Sequence, residues 1–124
     1  MADKIKYTFD NELVRVTQSG VVDSETFNDL IALIVKDRKN LPSEIKILMD
    51  ARRATFGSRP EDLKSILRKI KEHYKKFDSI KFAIILQNPY ETAIGIIMQE
   101  MLREIPSVVL RVFSTEQAAV KWLK

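Results

Sequence analysis

"IKILMDARRATFGSRPEDL", Ile45 to Leu63, holds the transition that decides the fold. Ile45, Ile47 and Met49 alternate with Lys46, Leu48 and Asp50, the period of two that marks a β-strand. From Leu63 the period lengthens, and Leu63, Ile66, Leu67, Ile70, Tyr74 and Phe77 form one helical stripe. Between them, after Asp50, lie two arginines and then Thr55, Phe56, Gly57, Ser58, Arg59 and Pro60. The spacing predicts a strand over Ile45 to Met49, a turn after Asp50, and a helix. Ser58-Arg59-Pro60-Glu61 fits the S-x-x-E capping box at the start of that helix.

Further strands and helices flank this transition on both sides. Ile5 to Phe9 and Leu13 to Thr17 read as two strands joined by "DNE", a hairpin with antiparallel pairing. Gly20 marks a break, and Asp23 or Ser24 caps a helix carrying Phe27, Leu30, Ile31, Ile34 and Val35. A fourth strand is expected over Ile80 to Leu86 and a third helix from Asn88-Pro89 through Ile105. Val108 to Phe113 is a fifth strand. "STEQ" at 114–117 reads as a capping box before a short last helix. The order is ββαβαβαβα, an α/β domain spanning 1–124 without repeat or linker. Parallel crossovers are nearly always right-handed. A two-layer arrangement is therefore expected, a five-stranded, mostly parallel sheet with all four helices on one face. Leu48, Ala83, Ile85 and Val109 would then lie on the other face, which calls for a cover: a second copy in a homodimer through that sheet face, the N-terminal hairpin, or a bulge.

Composition narrows the function classes. The chain has 124 residues, enough for one domain and one core. No cysteine is present, which excludes disulfides and thiolate chemistry. A net charge of +4 is mild, and the cations of the second helix lack interleaved aromatics, so no nucleic-acid partner is expected. No apolar run approaches the roughly 20 residues of a transmembrane helix, and a cytoplasmic location is the default expectation. His73 is the only histidine and belongs to no recognisable triad or metal spacing, so neither a catalytic residue, a metal nor a cofactor is expected.

Two candidate sites remain. Arg52, Arg53 and Arg59 flank the predicted helix start near Gly57, where guanidinium forks and backbone amides together suit an anion. Asp50 is expected to cap the turn or pair with one of them, and such neighbours hold it ionised. In the third helix, Ala93, Ile94, Ile97, Met101 and Ile105 make the expected core stripe. Ile96, Met98 and Leu102 widen it, so Ile96, Met98, Met101 and Leu102 are a candidate apolar groove or interface.

"IKILMDARR" and the ending "VFSTEQAAVKWL", with this element order, resemble the STAS or SpoIIAA-like superfamily, in particular its small standalone bacterial members. The resemblance covers nearly the whole chain as a pattern. It implies a non-enzymatic regulatory or binding module that recognises a protein partner or a small ligand. The alternative it implies, by comparison with lipid-binding relatives, is an apolar molecule in a groove beside the third helix. In antagonists of this family a Ser in an Asp-Ser-Ser-Gly-like turn after the third strand accepts phosphate. The corresponding hydroxyl here is Ser58, with Thr55 beside it. This chain departs from the motif, since no Asp-Ser pair precedes the helix and Arg59-Pro60 replaces the small residues.

Overall fold

The computed structural model describes residues 5–10, 13–57, 60–73 and 77–124. Strands β1 (Ile5–Asp10), β2 (Leu13–Val22), β3 (Glu44–Phe56), β4 (Ser79–Ile85) and β5 (Val108–Phe113) form one sheet in the order β1-β2-β3-β4-β5. β1 and β2 are antiparallel and every other pairing is parallel. Helices α1 (Ser24–Lys36), α2 (Leu63–His73) and α3 (Pro89–Met101) link successive parallel strands, and α4 (Glu116–Leu123) follows β5. The element order is the one that the hydrophobic periods predict.

Local chemistry sets most boundaries. Asp23 caps α1, its Oδ1 accepting from the Thr26 amide at 2.9 Å and the Thr26 hydroxyl at 2.8 Å. Pro89 occupies the first turn of α3, where its missing N–H costs nothing. The cap of α4 is Thr115, which accepts from Ala118 N at 3.2 Å, one residue later than the Ser114 box anticipated. The helix after β3 starts at Leu63, preceded by a single 3-10 turn over Pro60–Asp62. The proposed Ser58 cap lies outside the described residues.

Two strands run further than their patterns suggest. β2 does not break at Gly20 but passes through it at φ +70, a conformation that glycine adopts without steric cost. β3 does not end at Asp50, for Arg53–Phe56 pair with Ser19–Val22 and Gly57 N still donates to Val22 O at 2.9 Å. "ARRATF" has no clean alternation because β3 carries a bulge. The register passes from Thr17↔Asp50 to Ser19↔Arg53, so Ala51 and Arg52 together oppose Gln18. Ile45, Ile47, Met49 and Ala51 face the helices before the bulge, and Ala54 faces them after it.

The expectation that all four helices share one face is corrected. α1, α2 and α3 do share it, burying Leu30, Ile34, Leu63, Ile66, Ile94 and Met98 against Val14, Ile47, Phe82 and Leu110. α4 lies on the opposite face, where Ala119 and Leu123 are buried against Leu13, Leu48, Ala83 and Ile85. The physical reason is topological. Handedness fixes the side of a helix that joins two parallel strands, and α4 joins none. The side chains that motivated a homodimer through this face are therefore covered within the chain, although Val109 stays exposed.

Candidate functional site

The bulge in β3 places Arg52 and Arg53 next to each other on the exposed surface of a strand, not in a loop at a helix start. Arg52 is held by Asp50 through Nε–Oδ1 at 2.9 Å and Nη2–Oδ2 at 2.7 Å, while Asp50 Oδ1 also accepts from Arg52 N at 3.1 Å. This fork is a charge-assisted pair. The Arg52 hydrogen bond, opposed by partial burial, holds the Asp50 carboxyl below its ordinary range. Of the candidate anion set, Arg52 is thus engaged and the Gly57 amide is spent on Val22 O. Arg53 is exposed, Thr55 is exposed beside Val21, and Ser58 and Arg59 lie outside the described residues.

At the carboxyl end of β3 the structure reveals a connection that the sequence did not announce. Glu91, in the first turn of α3, is 7% exposed, and its Oε2 accepts from Phe56 N at 3.2 Å. The carboxylate completes the last amide of β3 and sits where the α3 dipole favours negative charge. The signal was present as spacing. Glu91, Ile94, Gly95, Met98 and Leu102 fall on one helical stripe, and the stripe begins with a charge.

That stripe corrects the groove assigned to α3. Met98 and Leu102 are in the core, Met101 is packed against it, and Ile96 is exposed, so the four candidate groove residues do not line a common surface. Ala93 and Ile97, expected inside, are exposed. The helix sits one position round from the anticipated orientation because Gly95 lets it approach the sheet. A Cβ at Gly95 would lie 2.7 Å from Leu86 Cδ1 and 3.0 Å from Val112 Cγ2.

Between the sheet and these helices lies a cavity of about 60 Å³. Its walls include Gln18, Phe27, Met49, Phe56, Ile84 and Met98. Gln18 shares the inward side of β2 with Val14 and Val16 and is 1% exposed. Among the described residues its Nε2 has no hydrogen-bond partner. An unpaired buried amide of this kind costs about 1–3 kcal/mol.

The second face carries an aromatic pair, Phe113 and Trp122, with ring centroids 5.7 Å apart. Lys81 and Arg111 lie over the Trp122 ring at 5.5 and 5.9 Å. His73 is half-buried at the end of α2. Among the described residues no group of three acidic, His or Cys side chains could hold a metal, and no helix is long and apolar enough to cross a membrane.

A family model described as SpoIIAA-like matches residues 13–124. An uncharacterized protein with a SpoIIAA-like fold from Shewanella loihica PV-4 is similar in structure, with a TM-score of 0.62 at 17% identity over 97% of this chain and 92% of that one. The anti-sigma factor antagonist SpoIIAA in its unphosphorylated form is similar with a TM-score of 0.52 at 14% identity, over 95% of this chain and 96% of that one. No curated protein matches the chain.

Proposed function

The chain belongs to the SpoIIAA-like family, and on that premise we propose that it is a non-catalytic regulatory module. It recognises a protein partner at the carboxyl-end face of its parallel sheet, around Thr55. A cytoplasmic location belongs to this reading. One observation carries it: Val21, 52% exposed, stands in register with the exposed hydroxyl of Thr55 at the end of β2 and β3. An apolar side chain left bare there beside a hydroxyl and Arg53 suits a protein contact with a polar rim. Tyr90, 54% exposed, adds an aromatic group at the same end of the sheet, next to the Glu91 that holds Phe56. A SpoIIAA structure described as an anti-sigma factor antagonist supports the regulatory class. Thr55 and Ser58 are the hydroxyls we propose for modification, and Arg53 and Arg59 the cations for an anionic group of the partner.

Photo-crosslinking tests the reading. A benzophenone amino acid replaces Thr55 in one variant and Phe9 in another, Phe9 being exposed opposite Val14 at the other end of β2. The Thr55 probe is expected to yield a discrete crosslinked protein in host cells, and the Phe9 probe none. Equal labelling from both positions defeats the proposal. Phosphate mapping by mass spectrometry on the same preparations tests Thr55 and Ser58.

A further inference from the structure

We propose that Lys81 and Arg111, with Lys46 beside them, form a binding site for a phosphate monoester carrying a small apolar body. The site lies on the sheet face that α4 covers in part, and the inference is independent of the partner surface at Thr55.

Strand register assembles the site. Lys46 stands opposite Lys81, Lys81 opposite Val109, and Arg111 follows Val109 by two residues along β5. All four therefore point to one side of the sheet, the side of Leu48 and Ala83. Like charges directly opposite each other destabilise a sheet, and Lys46 with Lys81 is such a pair. Glu44, two residues before Lys46 on the same side of β3, is exposed. Among the described residues neither it nor any other acidic side chain forms an ion pair with Lys46, Lys81 or Arg111. A bound anion supplies the missing compensation.

Aromatic rings position two of the cations. Lys81 Nζ lies 5.5 Å from the centre of the Trp122 ring and Arg111 Cζ 5.9 Å from it. Arg111 also lies 5.7 Å from the Phe113 ring, which itself contacts Trp122. A π contact places a cation without occupying its N–H groups with an acceptor oxygen. Among the described residues neither the Lys81 ammonium nor the Arg111 guanidinium donates a hydrogen bond to another group. A guanidinium set in place with its N–H edge unspent suits an oxyanion, and the lysines add point charges. A phosphate monoester carries roughly two negative charges near neutral pH and matches this set better than a single carboxylate.

The site is open to solvent. Arg111 is exposed, and Lys46 and Lys81 are half-buried. The cover that α4 gives this face reaches Leu13, Leu48, Ala83 and Ile85 but leaves Val109 41% exposed. Val109 stands beside Lys81 in register and two residues from Arg111. A phosphate held by the cations therefore sets its organic part against a bare apolar side chain.

The test titrates phenyl phosphate, inorganic phosphate and sodium chloride, at matched ionic strength, into the ¹⁵N-labelled full chain. The expected result is saturable shifts of the Trp122 indole N–H and the Arg111 side-chain N–H with both phosphates and none with chloride. Phenyl phosphate should bind roughly fivefold tighter than inorganic phosphate, the ratio that about 40 Å² of apolar contact supplies. Val109→Ser should remove that ratio. Lys81→Gln should weaken both phosphates roughly tenfold or more, as the loss of one charge-assisted hydrogen bond does. Lys121→Gln removes the same charge from the side of α4 that faces Arg15, and should leave both affinities unchanged. Shifts that follow ionic strength whatever the anion overturn the proposal in the unmodified chain, whether or not a variant folds. So do equal losses of affinity in Lys81→Gln and Lys121→Gln, and an ester that binds no tighter than inorganic phosphate removes the apolar body.

Discussion

Phe56 N and Glu91 Oε2 meet at 3.2 Å across 35 residues of sequence. The bond joins the last residue of β3 to the first turn of α3, two elements separated by α2 and β4. It fixes the point from which the chain leaves the sheet toward Gly57, next to the Thr55 surface proposed for the partner. One buried carboxylate thus connects fold and proposed function. It stands where the backbone would otherwise end in an unpaired donor.

Glu91→Leu should cost toward the lower end of about 1–3 kcal/mol in urea unfolding, since it removes the acceptor and strands a part-buried N–H. Glu91→Gln keeps an acceptor and should cost less. Hydrogen exchange provides the local readout. The Phe56 amide should exchange faster in the leucine variant, while Ile84, in the middle of β4, should be unaffected under conditions of local opening. Equal exchange at Phe56 in both variants would remove the carboxylate from this role.

Gly95→Ala sets two effects against each other. Alanine favours a helix by about 0.8–1.0 kcal/mol over glycine. Its Cβ would meet Leu86 Cδ1 at 2.7 Å and Val112 Cγ2 at 3.0 Å, and overpacking of this kind costs typically about 1–3 kcal/mol. The clash should win, because Leu86 is buried in the core and Val112, partly buried, packs against that core. Thermal unfolding should show a lower melting temperature, and a higher one would mean that α3 slides without cost.

The parts of the fold legible in the sequence were those with one dominant period. The stripe Leu63, Ile66, Leu67, Ile70 and the alternation Ile45, Ile47, Met49 left no alternative. The bulge hid the rest of β3, because an extra residue between Ala51 and Ala54 breaks the period of two and leaves two adjacent arginines outward. α4 was legible as a helix but not as to its side, since no crossover rule binds a helix after the last strand. Glu91 and Gln18 were missed for a common reason. Both are polar residues at positions whose spacing is that of the core, and local reading assigns such residues to solvent.

Leu123→Ala tests the placement of α4. Leu123 is fully buried beneath the second sheet face with Leu48, Ala83 and Ile85, and truncating a buried leucine costs about 2–5 kcal/mol. Deleting residues 116–124 should go further. Leu48, Ala83 and Ile85 would become a bare apolar patch, and light scattering should then report self-association that the full chain does not show at the same concentration. A monomeric, stable truncation would contradict the cover that α4 provides.

The Asp50–Arg52 fork carries a pH signature. The Arg52 hydrogen bond holds the Asp50 carboxyl below its ordinary value of 3.8, so the folded chain binds a proton there less readily than the unfolded chain. Stability from this pair is therefore complete well above the ordinary value. It is lost as pH falls through that value toward the depressed one. Asp50→Asn removes the titrating group, so its unfolding free energy should decline less steeply than that of the unmodified chain from about pH 5 downward. Both side chains keep solvent contact, at 37% for Arg52 and 28% for Asp50, so the difference should shrink in high salt. Arg52→Ala should reproduce the flattening, because Asp50 without its fork returns toward the ordinary carboxylate range. Urea unfolding at a series of pH values, with and without about 1 M salt, measures all three. Parallel pH profiles for the unmodified chain and both variants would show that the fork contributes nothing to folding.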